Sequence, residues 1–128
     1  MIEIGVKGRA ETIVTKENTA AAMGSGTLDV FATPAMIALM EKTAAESVQP
    51  LLEEGQTTVG TAVDIRHTAA TPLGMQVTCN SLLVSAEGRM LVFEVIAEDE
   101  AGEIGRGRHE RFIITADRFM EKTNNRGK

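Results

Sequence analysis

Thr33-Pro34 opens the one long helical pattern in this chain, and nearly everything after it reads as strand. That pairing limits the fold more than any other feature. Threonine before proline is an N-cap signal, because proline at the first helical position gives up only an N–H that would be unpaired anyway. The pattern runs on through AMIALMEKTAAESVQ; Pro50 ends it or kinks its last turn, and Gly55 closes the segment. Roughly 16 to 19 residues at about 1.5 Å each span about 24–29 Å, the width of a small domain. Four segments of period two follow, over residues 57–70, 75–86, 89–99 and 103–116, with turn signals at Thr71-Pro72-Leu73-Gly74, Glu87-Gly88 and Glu100-Ala101-Gly102. Ahead of the helix, Ile2 to Val14 reads as a first strand, residues 15–23 as one or two helical turns, and Gly24-Ser25-Gly26 as a break. A lone helix can bury its apolar face only on one face of a single sheet. The fold class is therefore α+β, with about five antiparallel strands and the last four in a meander-like run.

At 128 residues and 43% hydrophobic, the chain has one domain's length and enough apolar surface for a core. Residues 1–120 read as that domain and 121–128 as a polar tail that frays, the polar character beginning at Arg118. Four Phe, no Trp and no Tyr exclude recognition by stacked aromatic platforms. A net charge of −5 repels phosphate backbones, so nucleic acid is not an expected partner, although Arg106, Arg108 and Arg111 leave room for a local anion site. The single cysteine, Cys79, permits no intrachain disulfide and no cysteine-rich metal cluster; it reads as structural. The acidic opening MIEIGVKGRAETIV is not a signal peptide, and no run approaches a membrane span of about 18 apolar residues. A cytoplasmic location is expected.

Two residues sit where their chemistry is expensive. With Ile37 at the origin of a helical wheel, Val48 falls near 20°, Glu41 near 40° and Ala45 near 80°, while Lys42, Glu46 and Gln49 cluster at about 120–180° on the solvent face. Glu41 thus falls in the middle of the apolar face, where a charge needs a partner. It is either an edge residue reaching for solvent, or a structural ion pair, or a carboxylate aimed into a cleft as general base or nucleophile. His67 shares strand parity with Val59, Val63 and Ile65, against Asp64, Arg66 and Thr68 on the other side. A lone apolar-face histidine is most often a satisfied core residue; here it can meet Glu41 across the two packed layers. Thr33 adds a hydroxyl beside the positive end of the helix dipole, where backbone N–H groups can hold an oxyanion. Hydroxyl, carboxylate, imidazole and amide donors together suit acyl transfer or hydrolysis. Gly105-Arg106-Gly107-Arg108 lacks the strand-to-helix turn of a phosphate loop. His109 and Glu110 face opposite ways on a strand, so no metal site is expected.

Phe31-Ala32-Thr33-Pro34-Ala35-Met36-Ile37-Ala38-Leu39-Met40-Glu41, then Gly60-Thr61-Ala62-Val63, His67-Thr68-Ala69-Ala70-Thr71-Pro72 and His109-Glu110-Arg111 together resemble the fluoroacetyl-CoA thioesterase-like group of hot-dog-fold proteins, over roughly residues 30 to 120. The resemblance implies a long helix wrapped by a curved antiparallel sheet, a homodimer with active sites at its interface, and hydrolysis of an acyl-CoA thioester without a cofactor. It assigns catalysis to Thr33, Glu41 and His67, and substrate contacts to Gly60 and Arg111. Gly60 has the opposite parity to His67, so a backbone contact or a bulge must bring it into the site. The fluoroacetyl-specific member carries an aromatic and proline-rich lid before the helix, whereas AAMGSGTLDV holds no aromatic and Lys42 follows the helix glutamate. The expected substrate is therefore a short or small acyl-CoA more generally. The rival readings are a non-catalytic acyl-CoA-binding module and an enoyl-thioester hydratase.

Overall fold

Alternation along two central strands builds the core. In a computed structural model, which describes residues 2–128, β3 (Gln76–Glu87) buries Val77, Cys79, Ser81 and Leu83, while β4 (Met90–Asp99) buries Leu91, Phe93, Val95 and Ala97. β5 (Gly102–Thr115) and β2 (Gln56–His67) continue the sheet on one side, and β1 (Lys7–Ile13) closes the other. All pairings are antiparallel, in the order β1-β3-β4-β5-β2. On the inner face lies α2 (Thr33–Val48), which buries Met36, Leu39, Met40, Thr43, Ala44 and Val48. Each such apolar side chain removed from water contributes about 1.5–3 kcal/mol. This is the hot-dog arrangement, an α+β fold of five strands around one helix.

The meander expected of the last four strands holds only for β3-β4-β5. β2 does not lie beside β3; it pairs with β5 and forms an edge. The reason is the segment 68–75, which crosses the end of the sheet instead of turning back. Its course is pinned by Thr68 N–H to the Ile104 carbonyl at 2.7 Å, Phe31 N–H to the Thr71 carbonyl at 2.9 Å, and the Thr71 hydroxyl to Asp99 at 2.8 Å. The same bonds seat the start of α2 against the sheet.

The helix begins one position earlier than the cap signal suggests. Ala32 is the N-cap, Thr33 and Pro34 are the first two helical residues, and no side chain caps the end. Ala32 is tied down by its N–H to the Asn18 carbonyl at 2.9 Å. At the other end Pro50 lies in a single 3-10 turn, Gln49–Leu51, as its ring demands. The turns expected at 15–23 are a 3-10 turn, Lys16–Asn18, and α1 (Ala20–Met23), which Gly24 ends in the left-handed region. The polar stretch read as fraying from Arg118 instead forms α3 (Ala116–Asn124), with Asp117 in its first turn and Lys122 in its last, each complementing the helix dipole. Among the described residues, no helix is long and apolar enough to cross a membrane.

Candidate active site

β2 carries the irregularity that the parity of Gly60 required. Its register against β5 shifts between Gly60 and Ala62, leaving Thr61 without a partner. Gly60 opposite Arg111, Val63 opposite His109, Ile65 and His67 therefore share the inner side, and Val59 moves to the outer side opposite Phe112.

At the mouth of α2, Thr33 and His67 meet, with the Thr33 Oγ1 2.7 Å from the His67 Nδ1. The two atoms share one proton between them, and a neutral Nδ1 can accept it from the hydroxyl. Burial holds the imidazole below its ordinary pKa, partly opposed by the nearby Ala69 backbone. Its other nitrogen, Nε2, is buried without a hydrogen-bond partner. The pair opens on a cleft of about 290 Å³ lined also by Val30, Phe31, Thr68 and Ala69. The N-cap residue, Ala32, has no side chain that can cap, and Thr33 Oγ1 is engaged with His67, so the first N–H groups of α2 have no side-chain cap, and the positive end of the helix points at the same place. A hydroxyl, a neutral imidazole and oriented amides are the equipment for polarising a carbonyl.

Glu41 is not in the middle of the buried face. The buried arc centres on Met36 and Met40, and Ile37, Glu41 and Ala45 form its partly exposed flank. The Glu41 side chain is 42% exposed and stands 3.8 Å from Nη1 of Arg111. Nor does it meet His67 within one chain. His67 is bonded to Thr33, and eight residues of helix put Glu41 about 12 Å further along the axis. Gly60 does belong beside Glu41, because a β-carbon there would lie 2.8 Å from Glu41 Oε2 and 3.3 Å from Arg111 Nη1.

Arg111 is nearly buried. Its Nε donates to the Thr58 hydroxyl at 2.7 Å, Nη2 to the Thr58 carbonyl at 3.0 Å, and Nη1 to Nε2 of His109 at 3.0 Å. From sequence, His109 reads only as half of a rejected metal pair with Glu110 and as part of the stretch His109-Glu110-Arg111, and Thr58 is not singled out. The signal was available, since His109 stands two residues before Arg111 and so on the same strand face. Arg106 pairs with Glu103, and Arg108 stands near Glu94, both solvated on the opposite face. Cys79 is fully buried, with its thiol pushed up by burial, as a structural residue should be.

A family model for the fluoroacetyl-CoA-specific thioesterase FlK matches residues 14–117. The fluoroacetyl-CoA thioesterase of Streptantibioticus cattleyicolor is 46% identical over 94 residues, which cover 73% of this chain and 68% of that protein. A solved structure of the fluoroacetyl-CoA thioesterase FlK superposes with a TM-score of 0.93 at 34% identity, covering 100% of this chain and 99% of the other. A FlK variant in complex with acetyl-CoA gives 0.91 at 34% identity, over 99% of this chain and 100% of the other. Sequence and fold agree along nearly the whole length, and the chain belongs to the fluoroacetyl-CoA-specific thioesterase family.

Proposed function

We propose that the chain is an acyl-CoA thioesterase which hydrolyses a short or small acyl-CoA to the free acid and coenzyme A. The observation that carries this reading is the Thr33–His67 pair, 2.7 Å apart at the uncapped start of α2 and open to a cleft. The thioester carbonyl sits over that helix end. Its developing oxyanion takes backbone N–H bonds, and His67 polarises it and protonates the leaving sulfur. Glu41 attacks the carbonyl carbon or draws a proton from the attacking water, and Thr33 orients it. The C–S bond breaks, and water supplies the oxygen of the acid and the hydrogen of the thiol, so no cofactor is called on. Gly60 and Arg111 border the acyl end beside Glu41.

A thioester's reacting atoms must lie within about 3–3.5 Å of the groups that act on them, whereas on one helix Thr33 and Glu41 are eight residues, about 12 Å of backbone rise, apart, and Glu41 stands by Arg111 while Thr33 bonds His67. We therefore place the working site at the interface of a homodimer. Glu41 of one protomer faces the Thr33–His67 pair of its partner there, and the exposed stretch 60–64 of edge strand β2 lies against its copy. Residues 1–120 make up the thioesterase unit, 121–128 stand outside it, and it works in the cytoplasm, where a buried unpaired Cys79 stays reduced. The acetyl-CoA held by the FlK variant supports a small acyl group. Glu41→Ala should lower the release of free thiol from acetyl- or butyryl-CoA by at least about 10²-fold with unchanged circular dichroism. Turnover at the wild-type rate in that variant rejects the mechanism.

A further inference from the structure

Arg111 makes three hydrogen bonds within its own chain, yet its nearest carboxylate stays at 3.8 Å, beyond hydrogen-bond distance. A buried guanidinium beside a carboxylate would ordinarily close on it as a bidentate pair. Beside the guanidinium stands His109. Its ring is 1% exposed, and its two nitrogens have different jobs. Arginine has only donors, so Nε2 at 3.0 Å must accept from Nη1 and carries no proton. The ring's one proton is then on Nδ1, which donates to the Ala62 carbonyl at 2.8 Å, at the end of the β2 bulge. Phe93 lies against the ring, with centroids 6.4 Å apart and planes inclined by 30°. The tautomer, the plane and the direction of the lone pair are all set.

We propose that His109 is a positioning residue that anchors on the bulge through Nδ1 and offers Nε2 as a fixed acceptor, so that Arg111 faces Glu41 without collapsing onto it. This rests on the thioesterase reading, in which Glu41 must remain free to act. The charged groups near the ring are Arg111 on its own side of β5, Glu41 of α2 and, next along the strand on the opposite side, Glu110; β2 and β4 contribute Ala62, Val63 and Phe93. Burial, then the cation of Arg111, hold the imidazole below its ordinary pKa against opposing contributions from Ala62, Glu41 and Glu110. A protonated ring would turn a second N–H donor and a second positive charge on the guanidinium.

Two substitutions separate the two nitrogens. The side-chain amide of His109→Gln reaches the place of Nε2 and keeps an acceptor for Arg111, giving up the bond to Ala62. His109→Asn keeps a donor for Ala62 and loses the acceptor. The expected result is a kcat lower by about 10- to 100-fold in His109→Asn with KM changed by less than about threefold, and a kcat in His109→Gln within about threefold of wild type. Equal losses in both variants, or full activity in His109→Asn, overturn the proposal. Nitrogen-15 NMR of the unmodified protein tests it without turnover. Nε2 of His109 should be unprotonated at neutral pH, and the Arg111 Nη1–H signal, which reports the bond to Nε2, should persist in wild type and His109→Gln and be lost in His109→Asn. A proton on Nε2, or an Arg111 signal indifferent to both substitutions, overturns it as well. Should no acyl-CoA be hydrolysed by the wild-type protein, the functional reading fails, and the NMR measurements still decide whether His109 holds Arg111.

Discussion

A single hydrogen atom in place of a methyl group decides how Glu41 sits. A β-carbon on Gly60 would come within 2.8 Å of Glu41 Oε2 and 3.2 Å of His109 Cε1. The carboxylate is the far end of a flexible side chain and can move away, so Gly60→Ala should cost little stability. It should cost activity, since displacing a reacting group by about 1 Å is worth up to about 10²-fold. A kcat at least about tenfold lower, with a melting temperature within about 2 °C of wild type, is the expected outcome in a thiol-release assay paired with calorimetry. An unchanged kcat would separate Gly60 from the chemistry. At this scale the sequence was informative wherever a residue violated its surroundings. His67 on a strand stands out because an imidazole is costly on an apolar side; Glu41 stands out on the helical wheel for the same reason, although the structure puts it on a partly exposed flank. Thr58 and His109 violate nothing, because the residues two positions either side of His109 are Gly107 and Arg111 and leave no apolar pattern for an imidazole to break. Their role depends on which residue of β2 opposes which of β5, and the bulge at Gly60 moves that correspondence by one.

The elements themselves were legible because each has a period. Helix α2 and strands β2 to β5 fall where the patterns put them, within a few residues at each end. The start of α2 was misread by one residue because a threonine hydroxyl can either cap a helix or bond a histidine, and spacing does not choose between them. Strand order was not legible either, since a period of two says which side is buried and nothing about neighbours. The glycines of β5 mark the neighbour that was missed. A β-carbon on Gly107 would run into the Asp64 carbonyl of β2 and lie 2.8 Å from the Ile65 Cα. Backbone cannot yield as a flexible side chain can. Gly107→Ala should force β2 and β5 apart at a cost of about 1–3 kcal/mol, a fall in melting temperature on the order of 5–10 °C. An undiminished melting temperature would show that the two strands approach less closely than this.

For the molecule as a whole, the decisive feature is that Thr33 and Glu41 are eight residues, about 12 Å of backbone rise, apart on one helix, with Glu41 beside Arg111 and Thr33 bonded to His67. In the homodimer proposed above, with its two chains related by a twofold axis, the flank of Ile37, Glu41 and Ala45 would face the helix start of the other chain. This arrangement makes a prediction that single substitutions cannot. Glu41→Ala in one preparation, and Thr33→Ala with His67→Ala in another, should each be inactive alone. Unfolded together in equal amounts and refolded, they should recover about one quarter of wild-type activity, since about half of the dimers are mixed and each mixed dimer holds one intact site of two. If all three groups acted within one chain, every site in the mixture would lack something, and no activity would return. Recovery of thiol release on mixing therefore distinguishes a site shared between protomers from two separate ones. It does so with variants whose folds can be checked before they are combined.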